Sequence, residues 1–293
     1  MQILRVTDKG FLLDYLFEHL IGFKKTKIRQ FLKYGSVRVN GCVVTGHRHA
    51  LVPGDVIDFL SIKDAELAQV KRRLNFKLVH EDSDILVAQK PAGLLTMGTE
   101  REKEKTLYFS VTAYEQAKSQ DGRGRIFIVH RLDRDTSGFV IFAKNEAAKE
   151  TLQTNWEQAV KKYYAITEGT PRKHEGMIES HLVEDRFKRV YSVPKPSPVS
   201  KLAVTGYRVL AANKSYALLE IDLVTGRKNQ IRVHFSDLGH PIAGDSKYGA
   251  ASDPLGRIAL HAGFLSIPHP VTGEVLSFGP EIPKIFTRLM QEK

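Results

Sequence analysis

One short polar run, His130-Arg131-Leu132-Asp133-Arg134-Asp135-Thr136-Ser137-Gly138, gathers two carboxylates, two guanidiniums, an imidazole and two hydroxyls. Apolar stretches at 126–129 and 139–143 flank it and read as buried strands, and a polar loop on a rigid two-strand base is a common seat for a catalytic group. Asp133 lies between Arg131 and Arg134, whose charges favour its ionised form. Such a carboxylate can attack as a nucleophile, take up a proton, or stabilise a cationic sugar. Two other readings stay open: Asp133 and Asp135 as the acid–base pair of a glycosidase or nucleosidase, or as turn caps paired with arginines.

A second candidate segment runs from Gly226 to His234 and opens a helix, with Ile231, Phe235 and Leu238 as its core stripe. Arg232 sits about 100° around that helix from Ile231, where it can project into a cleft and reach a carboxylate; the alternative is an exposed surface arginine. His130, His234, His47 and His49 are candidate metal ligands by residue type, but with one cysteine, Cys42, and no H-E-x-x-H spacing, no metal site is expected. Without a P-loop or dinucleotide glycine motif, no cofactor is expected either.

The elements that must hold these groups follow from periodicity. At 293 residues the length prior allows two domains, and with 42% hydrophobic and 26% charged residues the composition is that of an ordinary globular protein. No stretch approaches the roughly 20 apolar residues of a membrane span. The first residues lack the pattern of a secretory leader, and lone Cys42 permits no intrachain disulfide; the expectation is a cytoplasmic protein with no membrane partner. Strands are expected at 86–88, 126–129, 139–143, 163–167 and 216–224, a charged loop at 99–106, and a Pro-rich basic loop at 186–201. The fold class is α+β with strands dominating.

Net charge is +11, which points to a polyanionic partner, nucleic acid first. Between Glu18 and Asp55 lie 36 residues with no carboxylate and seven basic residues, among them Lys24, Lys25, Lys27, Arg29, Lys33 and Arg38. The same stretch reads as two short helices, the second capped by Thr26 and stopped by Gly35, then a hairpin at Asn40-Gly41 and a turn at Pro53-Gly54-Asp55. With Ile28, Phe31 and Leu32 inward, the cations face solvent as a phosphate-backbone surface. A linker is read at 63–75, between a domain at 1–62 and a larger one at 76–293.

The run FLLDYLFEHL, KIRQFLKYGSVRVNG and PGDVI resembles the S4-like RNA-binding domain of ribosomal protein S4 and several RNA-modifying enzymes. HRLDRDTSG matches the signature of the RluA family of RNA pseudouridine synthases, H-R-L-D-x-x-T-S-G. LVHEDSDILVAQKPAGLL, Lys161 with Tyr163-Tyr164-Ala165, LVTGRKNQIRVH with LGHPIAGDSKYG, and Leu260-His261-Ala262 with Ile267-Pro268-His269-Pro270 match further motifs in the family's order. The resemblance implies a small S4-like α/β domain followed by a catalytic domain on a mixed, mainly antiparallel sheet flanked by helices and loops. It implies isomerisation of uridine to pseudouridine in structured RNA, ribosomal RNA before transfer RNA, by a monomer without cofactor. Asp133 becomes the catalytic aspartate, Tyr163 packs on the uracil, Arg232 pairs with Asp133, and Arg131 takes the place of the flipped nucleotide. Lys228-Asn229, where the family usually has Thr-His, and Leu95-Thr96-Met97-Gly98, where His-Pro is frequent, depart from its pattern. A catalytically silent RNA-binding protein and the nucleosidase remain as alternatives.

Overall fold

The computed structural model describes residues 3–119 and 121–291. The chain divides into two compact units: a first reaching to Leu74 and also containing Val111–Arg125, and a second made of Asn75–Ser110 and everything from Ile126 onward.

In the first unit β1 (Leu4–Arg5), β2 (Gly10–Phe11), α1 (Leu12–His19), α2 (Lys25–Lys33), β3 (Val37–Val39), β4 (Cys42–Val43), β5 (Ala50–Leu51), β6 (Val56–Phe59) and α3 (Ile62–Arg72) follow in turn. The helix–helix–hairpin order read from the sequence is present. Four strands pair in the order β1-β6-β3-β4, and β2 pairs with β5. The turn between β3 and β4 places Asn40 at φ 51° and Gly41 at φ 79°, the left-handed pair that a two-residue hairpin needs. Leu12, Leu16, Ile28, Leu32, Val37 and Ile57 form the core between helices and sheet. Two local expectations are corrected. The cap of α2 is Lys24, with no side-chain hydrogen bond, rather than Thr26. The segment read as a linker is helical, because Ser61 accepts the Asp64 N–H at 2.9 Å and closes the N-terminus of α3. That Ser-x-x-acidic spacing is a capping signal in the sequence, outweighed there by the density of charge.

The second unit carries β7 (Lys77–Glu81), β8 (Ile85–Lys90), the start of α4 (Leu107–Lys118), β9 (Phe127–Ile128), β10 (Ser137–Ala143), α5 (Glu146–Thr154) and β11 (Val160–Glu168). After these come β12 (Glu175–Glu184), β13 (Val190–Val193), β14 (Lys201–Ala212), β15 (Tyr216–Leu223), α6 (Gln230–Asp237), β16 (Leu260–Pro268), β17 (Val275–Phe278) and α7 (Lys284–Gln291). One sheet runs β13-β12-β14-β15-β11-β16-β10-β8-β7, with β17 on β16 and β9 on β10. Among the described residues its pairs are antiparallel except β10 with β16, which run parallel. The sheet is mixed and flanked by helices, as expected. The Pro-rich segment at 186–201 contains β13, which the prolines hid.

β10 is buried along its whole length, as its continuous apolar run requires. At its start Gly138 has φ 126°, and a Cβ there would lie 2.2 Å from the Ala262 carbonyl oxygen. Only glycine lets β10 lie this close to β16. No helix of the described residues is long and apolar enough to cross a membrane.

Candidate active site

The polar loop joins β9 to β10, and its backbone is tied at several points. Thr96 donates its hydroxyl to the Leu132 carbonyl at 2.7 Å and accepts the Leu132 N–H at 3.2 Å. Lys90, fully buried, donates to the carbonyls of Pro91, Leu94 and Arg134 at 3.0, 2.7 and 2.9 Å. Burial pushes the Lys90 ammonium down to about 8, against the pull of Asp135 and Asp133. Arg257 donates to Ser137 Oγ at 2.7 Å, and that oxygen lies 2.8 Å from His261 Nδ1.

Held in this way, the loop leaves the Asp133 side chain at a cavity of about 600 Å³ whose lining includes Arg131, Lys161, Tyr163, Lys228 and Arg232. Among the described residues the Asp133 carboxylate accepts no hydrogen bond. Burial raises its pKa, and Arg232, Arg131, Lys228 and Lys90 oppose that rise in this order. Arg131 favours the ionised form, as its place beside Asp133 in the sequence suggests, but desolvation is the larger effect and acts against the charge. Asp135 stays outside the lining and pairs with Arg134 at 3.3 Å, so the two carboxylates do not share a face of the cavity.

Tyr163 reaches the cavity from β11 at the point where the register against β16 shifts between Lys162 and Tyr163. Such an irregularity re-aims a side chain. Burial, reinforced by Asp133, raises its phenol well above the ordinary value.

Arg232 is buried, not a surface arginine, but its two-pronged partner is Asp245. Nε and Nη2 donate to the two Asp245 oxygens at 2.6 and 2.7 Å, and Nη1 donates to Asn229 Oδ1 at 3.1 Å. The expected direct pair with Asp133 is not made; Asp133 feels Arg232 through its field. Burial pulls the Arg232 guanidinium down, but Asp245 and then Asp133 carry it above its usual range. Asp245 lies within the LGHPIAGDSKYG segment, yet nothing in its spacing says which carboxylate is buried.

Asn229, at φ 54°, opens α6 and donates to the Tyr248 hydroxyl at 3.0 Å. Ile231 and Phe235 face the core as expected, whereas Leu238, one residue past the helix, is 43% exposed. His130 stacks on Trp156 at 4.4 Å, and its Nε2 accepts the Ile141 N–H. His234 lies 2.9 Å from both Ser180 Oγ and Thr205 Oγ1. Both imidazoles are engaged in packing and hydrogen bonding. Elsewhere in this unit Asp82, Asp84 and His269 gather three potential ligand atoms. There His269 Nδ1 accepts the N–H groups of Val271 and Thr272, which leaves Nε2 as the protonated nitrogen facing Asp82.

In the first unit Lys24, Lys25, Arg29 and Lys33 are exposed and Lys27 half-buried. Lys25 and Arg29 each lie 5.3 Å from the centre of the Phe17 ring. Arg38 is already spent on a two-pronged pair with Asp58, Nε–Oδ1 at 2.8 Å and Nη2–Oδ2 at 2.5 Å.

Residues 84–237 match the family model described as RNA pseudouridylate synthase. The chain is 33% identical over 274 residues, 92% of its own length and 89% of the other's, to the uncharacterized RNA pseudouridine synthase YlyB of Bacillus subtilis. It is 33% identical to the ribosomal large subunit pseudouridine synthase D of Vibrio cholerae, covering 89% of this chain and 84% of that one. Among solved structures, Human RNA Pseudouridylate Synthase Domain Containing 4 superposes with a TM-score of 0.61 at 26% identity, over 77% of this chain and 94% of that chain.

Proposed function

Because the chain belongs to the RNA pseudouridylate synthase family, we propose that Asp133 is the catalytic aspartate of an RNA pseudouridine synthase whose substrate is ribosomal RNA. The reaction moves uracil from an N1–C1′ to a C5–C1′ linkage within the chain. The N1–C1′ bond breaks, the base turns while held, C5 bonds to C1′ and gives up its proton, and N1 ends protonated, so RNA mass is unchanged. A base paired inside a stem cannot turn, and flipping it out is the physical requirement.

The observation that carries this reading is the Asp133 carboxylate, free of hydrogen bonds among the described residues, at a cavity it shares with Tyr163 and Arg232. An unbonded oxygen is available to the sugar, whether it attacks C1′ or takes a proton from the ribose. Tyr163 packs against the uracil. Arg232, fixed by Asp245, supplies positive charge that favours the ionised aspartate. Arg131, exposed at the mouth of the cavity, has the planar guanidinium needed to stack where the flipped nucleotide was.

The ribosomal substrate rests on the relative named for the large ribosomal subunit. The first unit serves as an S4-like RNA-binding module, supported by its helix–helix–hairpin order and its exposed cations. Such an enzyme works in the cytoplasm, as a monomer and without cofactor.

The test is Asp133→Asn in the full chain, which keeps the side-chain volume and removes the charge and the reactive oxygen. Pseudouridine in ribosomal RNA should become undetectable while RNA affinity stays within a few-fold. Wild-type yield from this variant would remove Asp133 from the chemistry. Release of free uracil by the wild type would indicate hydrolysis instead.

A further inference from the structure

The lining of the Asp133 cavity carries six cations and two carboxylates, Asp133 and Glu184. Asp133 has the chemistry; Glu184 has no evident part in it. Glu184 ends β12, at the rim, and its Oε1 lies 2.5 Å from Lys228 Nζ. The same ammonium reaches the Lys188 carbonyl at 3.4 Å, so Lys228 ties the loop after β12 to the segment that leads into α6.

The pair is open to exchange. Its side chains are 36% and 42% exposed, and an ion pair this accessible contributes little net stability. The loop it holds is shaped by its own bonds: Asp185 Oδ1 accepts the N–H groups of Phe187 and Arg189, each at 2.8 Å. Losing the Lys228 contact therefore need not unravel it. Lys228 also acts at a distance, as one of the cations that lower the Asp133 pKa.

We propose that Glu184 is a specificity-determining residue that occupies Lys228 as a surrogate for an RNA phosphate. In the free protein Glu184 holds the ammonium and so withholds it from phosphates. A substrate whose backbone enters the cavity displaces Glu184, takes Lys228 as its own contact and frees the loop. RNA that lies on the surface without entering leaves the Glu184–Lys228 pair in place and gains no contact from it. The proposal rests on the functional reading above, since it needs an RNA whose backbone comes to this rim.

The test uses the full chain and a synthetic uridine-containing stem-loop RNA unrelated to any ribosomal site, with affinity measured across salt concentrations. Glu184→Gln removes the competitor and should tighten binding of this RNA about three- to tenfold. It should also steepen the log–log salt dependence by up to one phosphate contact, about 0.7–0.9, because Lys228 is then open to a phosphate. In a Lys228→Thr background the same Glu184→Gln change should have no effect. Unchanged affinity and slope in Glu184→Gln would overturn the proposal. So would an equal effect in the Lys228→Thr background, which would mean general repulsion rather than competition for one ammonium. This binding behaviour together with no pseudouridine formed in ribosomal RNA by the wild type would overturn the functional reading alone. A wild type that binds no RNA would overturn both.

Discussion

At the scale of single residues, the site is decided by which carboxylate is satisfied. Asp245 takes both prongs of Arg232 and is buried; Asp133 keeps its oxygens open. Asp245→Asn leaves the Arg232 charge buried without its partner, a loss that typically costs about 3–5 kcal/mol. Melting temperature should fall sharply, and pseudouridine yield with it. Arg232→Lys should lower turnover substantially, since an ammonium cannot reproduce the fork. Arg232→Met, combined with Asp245→Asn, should recover much of the stability without the activity, and strictly additive losses would count against the pair. Asp133 itself gives a pH prediction. Its pKa is raised above the ordinary 3.8 by burial, and the proposed chemistry needs the carboxylate. Single-turnover rates should therefore fall on acidification at a pH above that value, and a profile flat down to the ordinary range would contradict the assignment.

At the scale of elements, two straps aim the loop: Thr96 on Leu132 and Lys90 on Arg134. Thr96→Val removes both contacts to Leu132 and leaves buried backbone groups unpaired, at about 1–3 kcal/mol. Turnover should drop more than RNA affinity, read as kcat against KM; equal losses in both would mean the strap does not aim Asp133. The loop, its flanking strands and the helix with Arg232 were legible in the sequence because polarity breaks between apolar runs are local signals. So was the β3–β4 hairpin, through Asn40-Gly41. The partner of Arg232 was not legible, because Asp133 and Asp245 look alike along the chain and differ only in burial. Nor were Lys90 and Thr96: a lysine reads as surface until three carbonyls are brought around it. Long strands such as β12 and β14 escaped because charged and glycine positions blur their alternation.

At the scale of the whole molecule, charge and pH act together. If Lys24, Lys25, Lys27, Arg29 and Lys33 meet phosphates, each replacement by Ala that removes a contact should flatten the log–log salt slope of RNA binding by about 0.7–0.9. Arg38→Ala should instead act through its pair with Asp58. A slope unmoved by replacing all five would assign the surface another role. Acid stability follows from buried imidazoles. Burial pushes His234 and His261 down to about 4 from 6.5. Between those values the unfolded chain binds protons that the folded chain does not, so stability falls as pH falls through that window. The loss is on the order of 3 kcal/mol for each histidine. Melting temperature should decline from pH 6.5 towards 4, less steeply in His234→Gln, whereas parallel curves would place the proton uptake elsewhere.

The parallel pairing of β10 with β16 has a consequence in time. Ser137 and His261, whose side chains meet, are 124 residues apart, and contacts of that separation form late because a long loop must close first. During synthesis Asp133 leaves the ribosome well before the strand against which its loop is seated. The chain must be nearly complete before its aspartate is aimed, so a nascent or C-terminally truncated protein ending before β16 should carry every residue of the loop and modify nothing.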